Sequence, residues 1–155
     1  MRKGLYILLA FALYAITISC TKNRTTYSSF VDFKDMEWPV KSPVRFDVTA
    51  FDSISGDNLL LTVRHSNDYP YRNLWLFIDL IDERGQIKTD TANITLADIS
   101  GRWYGNGFGA IYELTLPLRL NSNLHRLKNV VISQGMRDDT IKGIINIGIT
   151  LKQGR

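Results

Sequence analysis

The 155-residue chain carries 19 Lys and Arg against 15 Asp and Glu, with 45% hydrophobic residues, 22% charged residues and one cysteine. This composition excludes collagen, intrinsic disorder, a disulfide scaffold and a multi-span membrane protein, and the length fits one domain. Without Arg2 and Lys3, which fall in a segment expected to be removed, the balance is 17 against 15, too even for a nucleic-acid-binding surface.

Met1-Arg2-Lys3 is positive, and residues 4–18 are almost wholly apolar. As a helix this run reaches ~21–23 Å, short of the ~30 Å hydrocarbon core of a bilayer. Residues 1–19 therefore read as an export signal, and the positive flank Thr21-Lys22-Asn23-Arg24 is wrong for a stop-transfer segment. The run ends in Thr17-Ile18-Ser19-Cys20, which resembles a bacterial lipobox with Thr17 in place of the usual Leu. Cys20 is then the lipidation site and the first residue of the mature protein. As the lone cysteine it has no intramolecular disulfide partner, and acylation removes a free thiol from an oxidising compartment. Each buried acyl CH₂ contributes ~0.8 kcal/mol and one chain anchors only marginally, so diacylglycerol plus an acylated amine gives the durable attachment expected here. Lys22, rather than an acidic residue, beside the anchor favours the outer membrane, with either leaflet open to it.

Residues 20–43 are polar, contain Pro39 and Pro43, and are expected to form the lipidated N-terminus and a tether. Val31, Phe33, Met36 and Trp38 are the side chains available to pin it. Residues 44–155 are expected to form the folded domain, because period-2 patterning dominates them. Apolar residues alternate in 44–50, 59–64, 112–120 and 145–151, as in sheets with one wet face. Residues 74–80 are apolar on both faces for five positions, which predicts a central strand, with Trp75 either in the core or among the aromatics of a recognition face. Ile94 and Leu96 mark a shorter piece, 127–134 another strand, and Pro117 an edge or bulge. Ser55-Gly56-Asp57-Asn58 and Asp82-Glu83-Arg84-Gly85 are hairpin turns, with longer turns at 67–73 and 121–123. One helical turn is predicted at 136–141. The sum is an all-β antiparallel sandwich of seven or eight strands.

Catalytic signals are weak. His65 and His125 lack ligand-pair spacing, Asp68 alone three residues after His65 does not make a metal site, and both histidines read as surface or strand-end residues. Asp138-Asp139 reads as a solvated or capping pair, and no G-x-S-x-G is present. The expectation is no enzyme, no cofactor and no metal. The stretch 101–109 carries four glycines but lacks the Lys-Ser/Thr and helix of a phosphate-binding loop, so it reads as a wide β–β loop with positive φ at its glycines. Tyr69, Tyr71, Arg72, Trp103, Tyr104 and Phe108 are the candidate binding residues: the aromatics either seal one end of the sandwich or form a face for a protein partner or a sugar ring.

Three stretches occur together: 67–78 with Asn67-Asp68-Tyr69-Pro70-Tyr71-Arg72-Asn73; Leu96-Ala97-Asp98 through Gly101-Arg102-Trp103 to Gly105-Asn106-Gly107; and Gln134-Gly135-Met136-Arg137-Asp138-Asp139 followed by Gly143-Ile144 and Ile147-Gly148. In this order, behind Cys20 and Trp38-Pro39, they resemble the gliding motility lipoprotein GldH family of Bacteroidota. The resemblance implies an exported β-sandwich lipoprotein, without a known activity, working with other envelope motility and type IX secretion proteins. Asp52-Ser53-Ile54, Asp90-Thr91-Ala92 and Asp139-Thr140-Ile141 also resemble the O-glycosylation pattern of that phylum. The alternative is a surface or periplasmic carbohydrate-binding sandwich lipoprotein; any small-molecule ligand is undefined.

Overall fold

The computed structural model describes residues 25–49, 53–54, 59–118, 124–125 and 127–152. The signal segment, Cys20 and the turn expected at 55–58 lie outside them. Thirteen strands are described: β1 (Thr25–Asp32), β2 (Glu37–Pro39), β3 (Val44–Asp47), β4 (Ser53–Ile54), β5 (Leu59–Ser66), β6 (Asn73–Asp82), β7 (Ile87–Thr95), β8 (Asn106–Phe108), β9 (Ile111–Pro117), β10 (Leu124–His125), β11 (Leu127–Gln134), β12 (Thr140–Lys142) and β13 (Ile144–Lys152). A five-stranded sheet runs β1-β13-β5-β9-β8 and a four-stranded sheet β3-β11-β6-β7; β10-β4 and β12-β2 are short pairs, and every pairing is antiparallel.

The two larger sheets bury their apolar faces on one another. Leu61, Val63, Ile147 and Ile149 on one and Phe46, Leu74, Leu76, Ile78, Val130 and Ile132 on the other join a single core. The alternation in 44–47, 59–63 and 147–151 becomes inward and outward facing as expected, whereas a register shift between Ile144 and Asn146 buries Ile144 in place of Ile145. The strand count exceeds seven or eight because short pairs close the ends and because polar stretches also pair. In β7, Lys88 to Asn93 offers little alternation, yet each residue has a partner on β6; an edge strand with a wet face needs few apolar residues.

Three expectations are corrected. Residues 25–43 are not a tether. β1 pairs with β13 from Thr25 to Asp32, and Trp38 is fully buried, stacked on Phe33 with ring centroids 4.6 Å apart and donating its indole N–H to the Ser42 carbonyl at 2.8 Å. The domain thus begins near residue 25 rather than at 44. The helical turn at 136–141 is replaced by bends leading into β12, because the buried Gln134 amide ties the loop down, donating to the Asp138 carbonyl at 2.9 Å and accepting the Met136 N–H at 2.8 Å. Trp75 is not core: β6 turns Leu74, Leu76, Ile78 and Leu80 inward, so Trp75 and Phe77 point outward, 42% and 48% exposed.

The connections divide between two poles. Thr25 opposite Lys152, Leu59 opposite Leu151 and the 82–86 turn lie at what we term the N-terminal pole. Segments 33–43, 67–72, 96–105, 109–110 and 135–139 lie at the opposite, loop pole. Pro117 is the last residue of β9, past the reach of β8, where the lost N–H leaves no ladder bond unmade.

Candidate functional site

All three motif stretches converge on the loop pole, and two structures result: a sealed aromatic plug and an open groove. The plug forms around His65, which ends fully buried near the close of β5. Burial corrects the surface reading of this histidine, although its strand-end place was expected. Trp103 lies 4.5 Å from it between ring centroids, Tyr112 5.7 Å and Tyr69 5.8 Å. Tyr69 is buried and donates its hydroxyl to the Asn73 carbonyl at 2.8 Å; Trp103 donates its indole N–H to Asn67 at 3.0 Å. Of the candidate binding residues, Tyr69 and Trp103 thus pack around His65.

Local chemistry delivers Trp103. The Asp98 carboxylate accepts the backbone N–H groups of Ser100 and Arg102, each at 2.9 Å, and the Ser100 hydroxyl at 2.6 Å. These bonds, the Ser100 hydroxyl foremost, hold its pKa down to about 2. Gly101 takes φ +82° inside this turn, and Trp103 returns to pair with Ala97. Gly105 and Gly109 also have positive φ, as expected of the loop, while Gly107 lies within β8.

His65 is poised by the same packing. Its Nδ1 donates to the Ser66 carbonyl at 2.9 Å, and Nε2 has no hydrogen-bond partner among the described residues. Burial lowers the pKa from its ordinary 6.5, so the unfolded chain takes up the proton first. Stability, complete above about pH 6.5, is expected to fall as the pH drops below it. Thermal melts between about pH 7.5 and about 5 check this, and His65→Phe should flatten the slope in that window.

The groove lies beside the plug, on the outer face of the four-stranded sheet, with a volume of about 600 Å³. Trp75 and Phe77 form its floor, with Tyr71, Met136, Arg137 and Asp138 around them. β6 sets the two aromatics one over the other at i and i+2. Phe77 stands between Thr91 on β7 and Ser133 on β11. Gly135 makes room for it: a Cβ there would come within 3.0 Å of the Phe77 ring. The Gly135 N–H donates to the Trp75 carbonyl at 2.7 Å, and the Met136 sulfur accepts the Trp75 N–H at 3.4 Å. Tyr71 donates its hydroxyl to Asp138 at 2.5 Å, a bond that raises the phenol pKa and keeps Tyr71 a donor. Arg72 and Tyr104 line a more polar hollow of about 420 Å³ next to it, sharing Asn73 with the groove. Phe108, 92% exposed, stands at the tip of the β8–β9 hairpin. The structure thus separates the six candidates into plug (Tyr69, Trp103), groove or hollow (Tyr71, Arg72, Tyr104) and tip (Phe108). Phe77 and Met136 were missed, and Trp75, weighed as core or recognition face, belongs to the exposed face; the signal was the double-sided apolar run of 74–78.

The loop pole thus combines a sandwich end closed by an aromatic plug with an exposed aromatic groove. The sequence profile of the GldH lipoprotein family matches residues 25–151. The chain is 30% identical to the gliding motility lipoprotein GldH of Flavobacterium johnsoniae, covering 97% of this chain and 95% of that one. It is 26% identical to the GldH homolog of Christiangramia forsetii, over 99% and 98%. Among solved structures, Pseudomonas aeruginosa AlgX superimposes with a TM-score of 0.41 at 13% identity, over 90% of this chain and 29% of that one. The chain belongs to the GldH lipoprotein family.

Proposed function

We propose that this protein is a non-catalytic lipoprotein of the gliding apparatus, acylated at Cys20, held at the outer membrane, and docking another envelope protein of the motility or type IX secretion system. Its relatives' names support the role in gliding. The groove carries the docking reading: two aromatic side chains stay half exposed on a sheet face whose neighbouring outward positions are Thr89, Thr91, Asn93 and Ser133. Exposed Trp and aromatic clusters of this kind are where binding energy concentrates in protein interfaces. Cys20→Ser tests the anchor. The variant is expected to fold with an unchanged melting temperature, to leave the membrane fraction and to abolish gliding; retention in the outer membrane would contradict it.

One observation favours a second reading, carbohydrate binding: Trp75 lines the groove together with Asn73, Thr91 and Asp138, a stacking ring in the company of hydrogen-bonding side chains. Quenching of Trp75 fluorescence by oligosaccharides would support it, and silence across a glycan panel would remove it.

A further inference from the structure

We infer that the sandwich stands on the lipid surface by its N-terminal pole and holds the groove and the apolar loop tips facing away from the bilayer. This rests on acylation of Cys20 and adds the orientation of the anchored domain. Five residue steps separate Cys20 from Thr25, the first residue of β1. Fully extended, they reach at most ~18 Å. β5 has eight residues and β6 ten, so ~25–33 Å separate the two poles. With its attachment point at one pole and a tether shorter than the domain, the sandwich cannot stand on the other.

The chemistry of the N-terminal pole agrees with a headgroup contact. The turn between β6 and β7 exposes Ile87 between Arg84 and Lys88, and Lys128 and Lys152, both exposed, end at the same pole. Cationic side chains around an exposed aliphatic one suit an interface carrying lipid phosphates. Asp47, Asp82 and Glu83 are interspersed with these cations: Asp82 accepts the backbone N–H groups of Arg84 and Gln86 at 2.8 Å, and Asp47, bonded to Thr49, also interacts with Lys128. Ile99 and Phe108, 95% and 92% exposed, are the side chains best suited to enter a membrane, yet the topology places them at the loop pole. There Ile99 lines the hollow beside the groove and Phe108 stands at the tip of the β8–β9 hairpin.

The test uses the acylated full-length protein in phosphatidylethanolamine–phosphatidylglycerol vesicles containing a headgroup nitroxide lipid. Acylation blocks Cys20, so Ile87→Cys or Ile99→Cys supplies a single reactive thiol for a bimane probe on an exposed site. Flotation with vesicles and the mass of the Cys20 peptide are read first; without acylation the anchor reading itself falls, and the orientation with it. In floating protein, the probe at 87 is expected to lose most of its emission to the nitroxide while the probe at 99 keeps its own. Equal quenching at both sites, as for a domain lying on its side, or stronger quenching at 99, overturns the orientation and leaves the anchor standing.

Discussion

A chain that begins at Val44 is expected not to fold, whereas one that begins at Thr21 folds cooperatively. The shorter chain lacks β1, whose Tyr27 and Val31 pack on the core and whose backbone completes the β13 edge. It also lacks β2, the partner of β12, and Trp38, which is fully buried against Phe33. Losing a buried Trp alone costs ~3–5 kcal/mol, set against a total stability of ~5–15 kcal/mol for a domain. Further bonds go with it: Phe33 N–H to Ile145, Gly143 N–H to Met36 and Val40 N–H to Asp139. Far-UV circular dichroism and urea titration of the two chains distinguish them, and Trp38→Ala in the longer chain should show a large part of the effect. A cooperative transition in the chain from Val44 would restore the tether reading of residues 25–43.

Gly143→Val should be the most damaging single change at the loop pole. Gly143 has φ +86°, and a Cβ there would come within 2.8 Å of the Tyr69 backbone, which cannot swing aside as a side-chain tip does. The left-handed conformation alone costs about 1–3 kcal/mol for a residue other than glycine, and the contact adds to it, for a loss of ~3–5 kcal/mol. Because Tyr69 packs on His65 and Trp103, the near-ultraviolet aromatic signal should change too. Gly101→Ala is the control: φ is +82°, but the space is open, so only the backbone strain remains, about 1 kcal/mol. Equal losses for the two variants would mean that the close approach of Gly143 to Tyr69 carries no weight.

Most of the fold was legible because period-2 patterning reports which residues share a strand face. β11 occupies the predicted 127–134, β3 falls within its alternating run, and β5, β9 and β13 overlap theirs and overrun them by one or two residues. Patterning does not report which strands have a second sheet over their outer face. Hence Leu74 to Ile78 reads as doubly buried, while only one of its faces meets the core. β1, with Thr, Ser and Tyr over most of its length, carries too little apolar contrast to announce itself, and long-range pairing with β13 supplies what local pattern lacks. At the site, the glycine-rich loop and the Tyr-Pro turn were visible as shape-setting chemistry. The packing of Tyr69 and Trp103 on His65 was not legible, because it depends on β9 and the 96–104 loop folding over that residue.

The claim on which the functional account rests is that the exposed aromatic pair docks a partner. Trp75→Ala/Phe77→Ala removes the groove floor at positions about half exposed, so folding should survive with at most a small fall in melting temperature. Introduced as the sole copy in the native gliding host, at normal abundance and membrane location, the double variant is predicted to stop cell movement over surfaces. Wild-type gliding by that strain would contradict the account.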